Sequence, residues 1–447
     1  MNPPFERQAV LPLAGLYVFR MLGLFMVLPV LSLYGQSYQG ATPALLGLAL
    51  GVYGFSQAML QIPFGFLSDK IGRKPMIAFG LILFGLGSVV AATADSVYGL
   101  ILGRFLQGCG AIASVIMALV ADLTAEENRT KAMALIGASI GVSFALALIL
   151  GPLVTESVGL SGLFWATAGF SIVGLWLLWR RVPQPPPLRQ PKDREWRTVL
   201  RDAELWRLNF GIFALHFVLM AAFIVLPRYL ELNGWGREVH GWIYLPVMLL
   251  SFLAMLPFMI LGERMGKVKL VYTSAIGLLL CVQLGLWGLS GSAVTAVVAL
   301  FAFFMAFNLL EATLPSWVSK VASPELKGTA TGVYSTWQFT GAFLGGAVGG
   351  WVLQVAGMAA VFGLCAVVLL LWLIVSLFQT PPAKPVRYSV RLPKEGDQLA
   401  LQGLAEMPGV KQVTWVDSDC VALVQVDGRT FNTALLASYE WRPAESV

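Results

Sequence analysis

Charge is what this sequence has least of. Asp, Glu, Lys and Arg together make up 12% of its 447 residues, against 57% hydrophobic residues and a mean hydropathy of +0.75. So few charges cannot clothe a water-exposed surface, which excludes an ordinary soluble globular domain. Cysteine is thin as well. Cys109, Cys281 and Cys365 fall in apolar stretches and Cys420 stands alone near the C terminus, so neither a disulfide framework nor a CxxC metal pair can be built. Without a phosphate-binding P-loop an ATP-driven pump is excluded, and without HExxH, GxSxG or paired carboxylates a membrane enzyme has nothing to work with. No basic patch with interleaved aromatics offers itself to nucleic acid. No metal and no cofactor is expected.

What is present is apolar sequence in about twelve blocks, from 9–35 to 356–378, most of them 20 to 28 residues long. Each is long enough to cross a hydrocarbon core of roughly 30 Å as a helix, and too long for a barrel strand. The first block follows Met1 to Gln8 and lacks a cleavage site, so it reads as a retained span. Lys and Arg concentrate in the loops after spans 2, 4, 6, 8 and 10, among them Lys70, Arg73, Lys74, Arg129, Lys131, Arg264, Lys267, Lys320 and Lys327. The alternate loops hold only Arg228 and Arg237. By the positive-inside rule both termini face the cytoplasm of a bacterial inner membrane, and the net charge of +6 is topological bias.

Prolines crowd 182–191, and an amphipathic turn through Trp196, Val199 and Leu200 follows. This linker, 181–203, separates a six-span bundle at 1–180 from a second at 204–380. The two halves echo each other: Ala125-Glu126-Glu127-Asn128-Arg129-Thr130-Lys131-Ala132 matches Ser323-Pro324-Glu325-Leu326-Lys327-Gly328-Thr329-Ala330 at an offset of 198 residues, and Glu263 to Lys267 is a weaker copy of Asp69 to Arg73. Duplicated halves suggest a transporter that rocks about a central site. Small residues recur at Gly47 and Gly51, Gly137 and Gly141, and Gly341, Gly345 and Gly349, which suits either sliding faces between the halves or ordinary tight packing. Residues 386–447 read as a soluble α+β unit: strands at 386–392, 410–416 and 421–426, helices at 396–407 and 431–439, and a last strand missing or falling in the final residues. The expected fold is all-α in the membrane, twelve helices in two pseudo-symmetric bundles, plus a small ferredoxin-like domain.

The run Gly65-Phe66-Leu67-Ser68-Asp69-Lys70-Ile71-Gly72-Arg73-Lys74 holds one acid, two glycines and three cations between spans 2 and 3, more than a plain turn requires. It resembles the motif at that place in the major facilitator superfamily. Arg104-Phe105-Leu106-Gln107-Gly108 resembles that family's proton-coupling motif. Gly151-Pro152 resembles the core of its antiporter motif, although Ala138 and Ala147 stand where glycines are expected and Thr155-Glu156 replace the closing pair. Arg20 to Val30, Phe307 to Pro315 and the ferredoxin-like tail resemble a narrower group of bacterial inner-membrane members. The resemblance implies a proton-driven exporter of a drug or metabolite working by alternating access, with a tail that regulates by contact with the core or with another copy.

Asp69 can bond the free amides at the start of span 11, where Ser323-Pro324-Glu325 is a cap signature, and Arg73 can pair with Asp122 on span 4. Gly65, Asp69, Gly72, Arg73, Lys74 and Asp122 then form a cytoplasmic latch, or merely a solvated basic turn. Ionisable residues deep in a bilayer are functional candidates by default. Arg20 lies about 16 Å along span 1, Arg104 about 10 Å in from the periplasmic face and Glu311 about 14 Å from the cytoplasmic end of span 10, at 1.5 Å per residue; His216 is near the middle of span 7. Glu311 is read as the proton carrier, displaced by a cationic or amphipathic solute, or alternatively as an ion-pair partner of Arg20 or Arg104. His216 is a second proton site or a packed polar residue. Tyr53, Gln57, Gln61, Asn209, Asn308, Trp337 and Gln338 line a cavity or pack helices. An importer, a uniporter or a sensor signalling through its tail are the competing functions.

Overall fold

The computed structural model describes residues 3–124, 126–185, 196–288, 291–322, 326–381, 385–392, 398–416, 421–427, 431–437 and 439–443. The chain divides into a helical unit, Met1–Gln379, and a small unit, Thr380–Val447.

The helical unit begins with α1 (Pro3–Phe25), α2 (Leu31–Tyr34), α3 (Pro43–Ile71), α4 (Arg73–Ala92), α5 (Val97–Cys109), α6 (Ala113–Leu123), α7 (Glu126–Arg180) and α8 (Trp196–Arg201). It continues through α9 (Ala203–Leu232), α10 (His240–Arg264), α11 (Val268–Gly288), α12 (Ala293–Val321) and α13 (Lys327–Leu377). Among the described residues nine helical stretches are long and apolar enough to cross a membrane, and Ala9–Phe25 is a shorter apolar helix. Polar caps set their starts. Thr42 accepts from Leu45 N ahead of Pro43, Ser96 from Gly99 N, and Asp202 from the amides of Glu204 and Leu205. Ser292 and Thr295 cap each other in a closed box.

The two longest helices are each bent by one glycine. Gly159 in α7 has φ 72° and ψ 177°, and Gly357 in α13 has φ 81° and ψ 179°, a backbone region essentially reserved for glycine. From 159 to 357 the offset is again 198 residues. A second mark of duplication lies in two lysines. Lys74 Nζ donates to Val182 O at 2.9 Å and Lys269 Nζ to Leu377 O at 2.7 Å, and each bond spans 108 residues. In both halves a lysine at the start of one helix supplies a proton to the open carbonyl end of another, where a cation also suits the helix dipole.

Two spans are interrupted. α1 stops at Phe25 and the chain turns through Met26–Val30; α5 stops at Cys109, and Gly110–Ile112 lead into α6. Gly110 lies against the backbone of Gly80, and Gly151 of α7 against Met26 O, so a side chain at either would meet main chain.

Between the halves, α3 meets α13 almost backbone to backbone. A Cβ on Gly51 would lie 2.5 Å from Phe343 O, one on Gly54 2.7 Å from Phe339 O, and one on Gly47 2.7 Å from Gly350 Cα. Ala44 N donates to Gln354 Oε1 at 3.2 Å, Phe55 packs on Phe343 at 5.0 Å, and Arg237 lies over the Tyr34 ring at 5.4 Å. On the other side Gly241 of α10 faces Ile149 O of α7, and Phe144 meets Phe304 and Phe307 of α12 at 6.0 and 5.7 Å. At the opposite helix ends, a Cβ added on Gly137 or Gly141 of α7, or on Gly328 or Gly332 of α13, would meet no atom of another helix within 4 Å. Among the described residues, the halves are pressed together toward the Pro43 end of α3, and these glycines make no such close approach toward the Asp69–Lys74 end. The expected stripes therefore do different jobs. Gly47 and Gly51 face the other half through Gly346 and Gly350, whereas Gly341, Gly345 and Gly349 let α13 approach Phe213, Phe217 and Ala221 of α9 in its own half.

The small unit holds β1 (Pro385–Arg391), α14 (Gln398–Ala405), β2 (Val410–Val416), β3 (Val421–Asp427) and β4 (Glu440–Pro443). The sheet order is β2-β3-β1-β4, antiparallel throughout, with Val390 opposite Ala422 and Trp441. Alternation puts Val390, Ala422, Val424 and Val426 on one face over Leu404 and Leu436. One expectation is corrected and one open alternative is decided. The segment 431–439 is no second helix but a single 3₁₀ turn, Thr433–Leu436, started by Asn432, whose side chain accepts from Ala434 N. The last strand falls in the final residues, at Glu440–Pro443, and pairs with β1. Cys420 lies outside the described residues.

Candidate functional site

Three polar groups punctuate the helical unit. The first is the charged turn. Gly72, at φ 110°, ends α3 and starts α4, a conformation that other residues rarely adopt, and the reversal folds Arg73 back over the last turn of α3. Arg73 pairs with Asp69, places Nε 3.0 Å from Asp122 Oδ2 and Nη1 2.6 Å from Ser68 Oγ, and Ser68 in turn donates to Gly65 O. A Cβ on Gly65 would come 3.5 Å from Ser114 Oγ of α6, an ordinary contact, so the approach of α3 and α6 there does not depend on the glycine. Lys74 sits 5.3 Å over the Trp179 ring while capping Val182 O. One guanidinium thus ties together α3, α4 and α6, three helices of one half. The cap signature Ser323-Pro324-Glu325, which the latch requires opposite Asp69, lies outside the described residues.

The second group draws on three helices of the other half. Gln338 of α13 lies with Nε2 2.9 Å from His216 Nε2 of α9 and 3.4 Å from Glu311 Oε1 of α12. His216 Nδ1 is 3.3 Å from Ile212 O and 3.9 Å from Glu311 Oε2. A consistent hydrogen arrangement has Nδ1–H donating to the Ile212 carbonyl and Nε2 accepting from the Gln338 amide, whose other hydrogen reaches Glu311. The imidazole is then neutral, and Glu311 Oε2 is left without a hydrogen-bond partner. A carboxylate and an imidazole bridged by one amide can accept, hold and pass a proton. The ion pair of Glu311 with Arg20 or Arg104 does not form: Glu311 lies beside Gln338 and His216, and Arg104 is bonded to Gln107 in the other half. Asn308 donates to Ser251 Oγ of α10 at 3.4 Å, one turn from Glu311. Trp337 packs edge-on against Trp206 and Phe213 at 6.2 and 6.0 Å, on the side of α13 facing α9. Tyr334, one turn before Gln338, has a buried hydroxyl without a partner and was missed by sequence reading, although its i, i+4 spacing to Gln338 was available. Asn209 Oδ1 is likewise buried and unpartnered.

The third group is cationic and lies in the first half. Arg104 of α5 is 0% exposed. Its Nη1 donates to Gln107 Oε1 at 2.8 Å, Gln107 Nε2 to Ser88 Oγ at 2.8 Å and Ser88 to Phe84 O, while the guanidinium stacks on Tyr53 at 5.0 Å. Gln57 donates to Gly108 O at 2.9 Å, bracing the interrupted end of α5 against α3. Gln61 is buried with Oε1 unpartnered, and its main-chain carbonyl accepts from Ser114. Arg20 of α1 is 1% exposed. Among the described residues no group of three or more His, Cys, Asp or Glu could hold a metal.

Comparison with known proteins gives a family. Residues 13–346 and 248–423 match the family model of the Major Facilitator Superfamily. The inner membrane transport protein YajR of Escherichia coli (strain K12) is 43% identical over 436 residues, 96% of each chain. The multidrug resistance protein MdtH of Aeromonas salmonicida (strain A449) is 27% identical over 73% of this chain and 82% of its own. Among solved structures, the nucleoside transporter NupG superposes with a TM-score of 0.67 at 16% identity, covering 82% of this chain and 98% of that one, a likeness of fold. The chain belongs to the Major Facilitator Superfamily and is a membrane transporter, not an enzyme.

Proposed function

We propose that the chain is a proton-coupled secondary transporter that exports a small solute by alternating access, with Glu311 as the proton carrier. If the nine membrane stretches are taken with α7 and α13 counted twice at their glycine bends and with Ala9–Phe25 added, the helical unit crosses the bilayer twelve times, six in each half. The halves then rock about the middle of the bilayer, Gly47–Gly54 against Phe339–Gly350 closing one side and the Asp69–Arg73–Asp122 turn controlling the other. The basic loops put that turn and both termini in the cytoplasm. Similarity to YajR and MdtH supports an inner membrane and efflux. The tail, a ferredoxin-like unit in its strand order, regulates the transporter.

The observation that carries this reading is the carboxylate. Glu311 lies within α12 beside a neutral amide and an imidazole, with no cation among its described hydrogen-bond partners, at a place where an uncompensated charge is costly and a proton is the simplest neutraliser. In proteoliposomes loaded with a pH-sensitive dye, adding a transported solute should move protons against the solute with the wild type and not with Glu311→Gln. Proton movement by Glu311→Gln at the wild-type rate would remove the assignment. Solute binding without proton movement in the wild type would favour a uniporter or sensor.

A further inference from the structure

Arg20 has no place in the scheme above. It is 1% exposed, and none of Nε, Nη1 or Nη2 has a hydrogen-bond partner. Arg104, also buried, keeps Nη2 without one. The described ion pairs engage Asp69, Asp122, Glu204, Glu231 and Glu440 with other partners, and the oxygens of Glu311 lie near Gln338 and His216. A buried lysine or carboxyl escapes its desolvation cost by changing protonation state, but a guanidinium keeps its proton at every accessible pH. A charge fixed in a membrane interior needs a counter-charge within hydrogen-bond reach.

Local structure supplies a fraction of that compensation. Arg20 lies five residues before the end of α1 at Phe25, and Arg104 five before the end of α5 at Cys109, so both sit near the carbonyl ends of interrupted helices, where the dipole favours cations. No carbonyl, however, accepts a hydrogen bond from Arg20. The surroundings are aromatic: Tyr17 is an electrostatic neighbour of both Arg20 and Tyr53, and Tyr53 stacks on Arg104. Interrupted helices in a bilayer, two fixed cations and phenol rings compose a receptor for a negative group, not for a positive one.

We propose that Arg20 receives an oxyanion, a carboxylate or a phosphate, carried by the transported solute, so that the substrate class is anionic. The fork of guanidinium donors matches the two oxygens of such a group bidentately, and Arg104 of α5, stacked on Tyr53, adds a second positive charge in the same half. The inference rests on the transporter reading and replaces the cationic solute expected from Glu311 alone.

The test uses the full-length protein in detergent at fixed ionic strength in chloride. Thermal unfolding is followed with benzoate, inorganic phosphate and the neutral benzamide, for wild type, Arg20→Lys and Arg20→Met. Benzoate or phosphate should raise the wild-type Tm saturably, by about 5 °C near a hundred times its Kd, and benzamide should not. A rise with benzoate alone assigns an organic carboxylate; a rise with phosphate alone assigns a phosphate. Arg20→Met should bind the effective anion about thirtyfold or more weakly, and Arg20→Lys in between. Without added anion, Arg20→Met should unfold at or above the wild-type temperature, because a buried unpaired charge has been replaced by an apolar chain of similar volume. No saturable rise with either anion, an equal rise in Arg20→Met, or an anion-free Arg20→Met several degrees less stable than wild type would each overturn the proposal. Proton release or uptake on anion addition is recorded in parallel. A saturable Tm rise without proton movement keeps the anion site and removes the proton-coupled reading; proton movement with a cation and no anion effect does the reverse.

Discussion

Gly51→Ala is the sharpest perturbation the fold offers. The new Cβ would stand 2.5 Å from Phe343 O and 3.2 Å from the carbonyl carbon and Cα of the same residue. An ordinary contact to those atoms is longer by about 1 Å, and because they are main chain no rotamer change relieves the clash. α3 and α13 must therefore separate by roughly that amount where the halves meet. Overpacking of this kind costs about 1–3 kcal/mol, a factor of about 5 to 150 in the equilibrium between the form closed at the Pro43 end and the form open there. The same change at Gly141, with no atom within 4 Å, supplies the control, since both variants gain the same helix propensity. Spin labels at Lys70→Cys and Lys327→Cys, exposed at the opposite end of α3 and α13, report the population by their distance distribution. Gly51→Ala should move weight to the shorter distance as that end closes, and Gly141→Ala should not. Identical distributions for Gly51→Ala and wild type would refute the rocking interface.

Other outcomes follow from the same geometry. Asp122→Asn removes one partner of Arg73; with 31% of the Asp122 side chain exposed, the loss should be about 0.5–1 kcal/mol, read as a small shift in the same spin-label distance. Arg73→Gln leaves Asp69 and Asp122 without their shared cation, and its shift should be larger. Gly159→Ala and Gly357→Ala force an alanine into a glycine-only conformation and should each cost about 1–3 kcal/mol, seen as a lower Tm of comparable size at the two pseudo-equivalent bends. In the small unit, Leu404→Ala should cost about 2–5 kcal/mol, enough to unfold a domain of this size, so limited proteolysis should clip the tail while the helical unit stays protected.

The spans, the duplication and the charged turn were legible because each is local: an apolar run, an offset of 198 residues, a decapeptide. The same offset carries Gly159 onto Gly357, although nothing in either neighbourhood marks the glycine as a bend. The joining of Glu311, His216 and Gln338 was not legible, since it depends on how α9, α12 and α13 rotate about their axes, and a polar residue in an apolar helix is consistent with any facing. For that reason an arginine seemed as good a neighbour for Glu311 as an amide. The small stripes left sliding and packing open for a related cause: Gly345 and Gly346 are adjacent in sequence yet face different helices, α9 and α3. The tail strands were readable from alternation, whereas 431–439, with Leu435, Leu436 and Tyr439, carried a helical rhythm that Asn432 and one 3₁₀ turn cut short.

Proton control of the rocking motion is tested most directly without any solute. The Lys70→Cys and Lys327→Cys spin-label pair in lipid nanodiscs is measured from mildly alkaline to mildly acidic pH, in otherwise wild-type protein and with Glu311→Gln. The wild-type distance distribution should shift with pH, and Glu311→Gln should hold one distribution throughout. A distribution that ignores pH in the wild type, or that shifts equally with Glu311→Gln, would contradict Glu311 as the proton carrier.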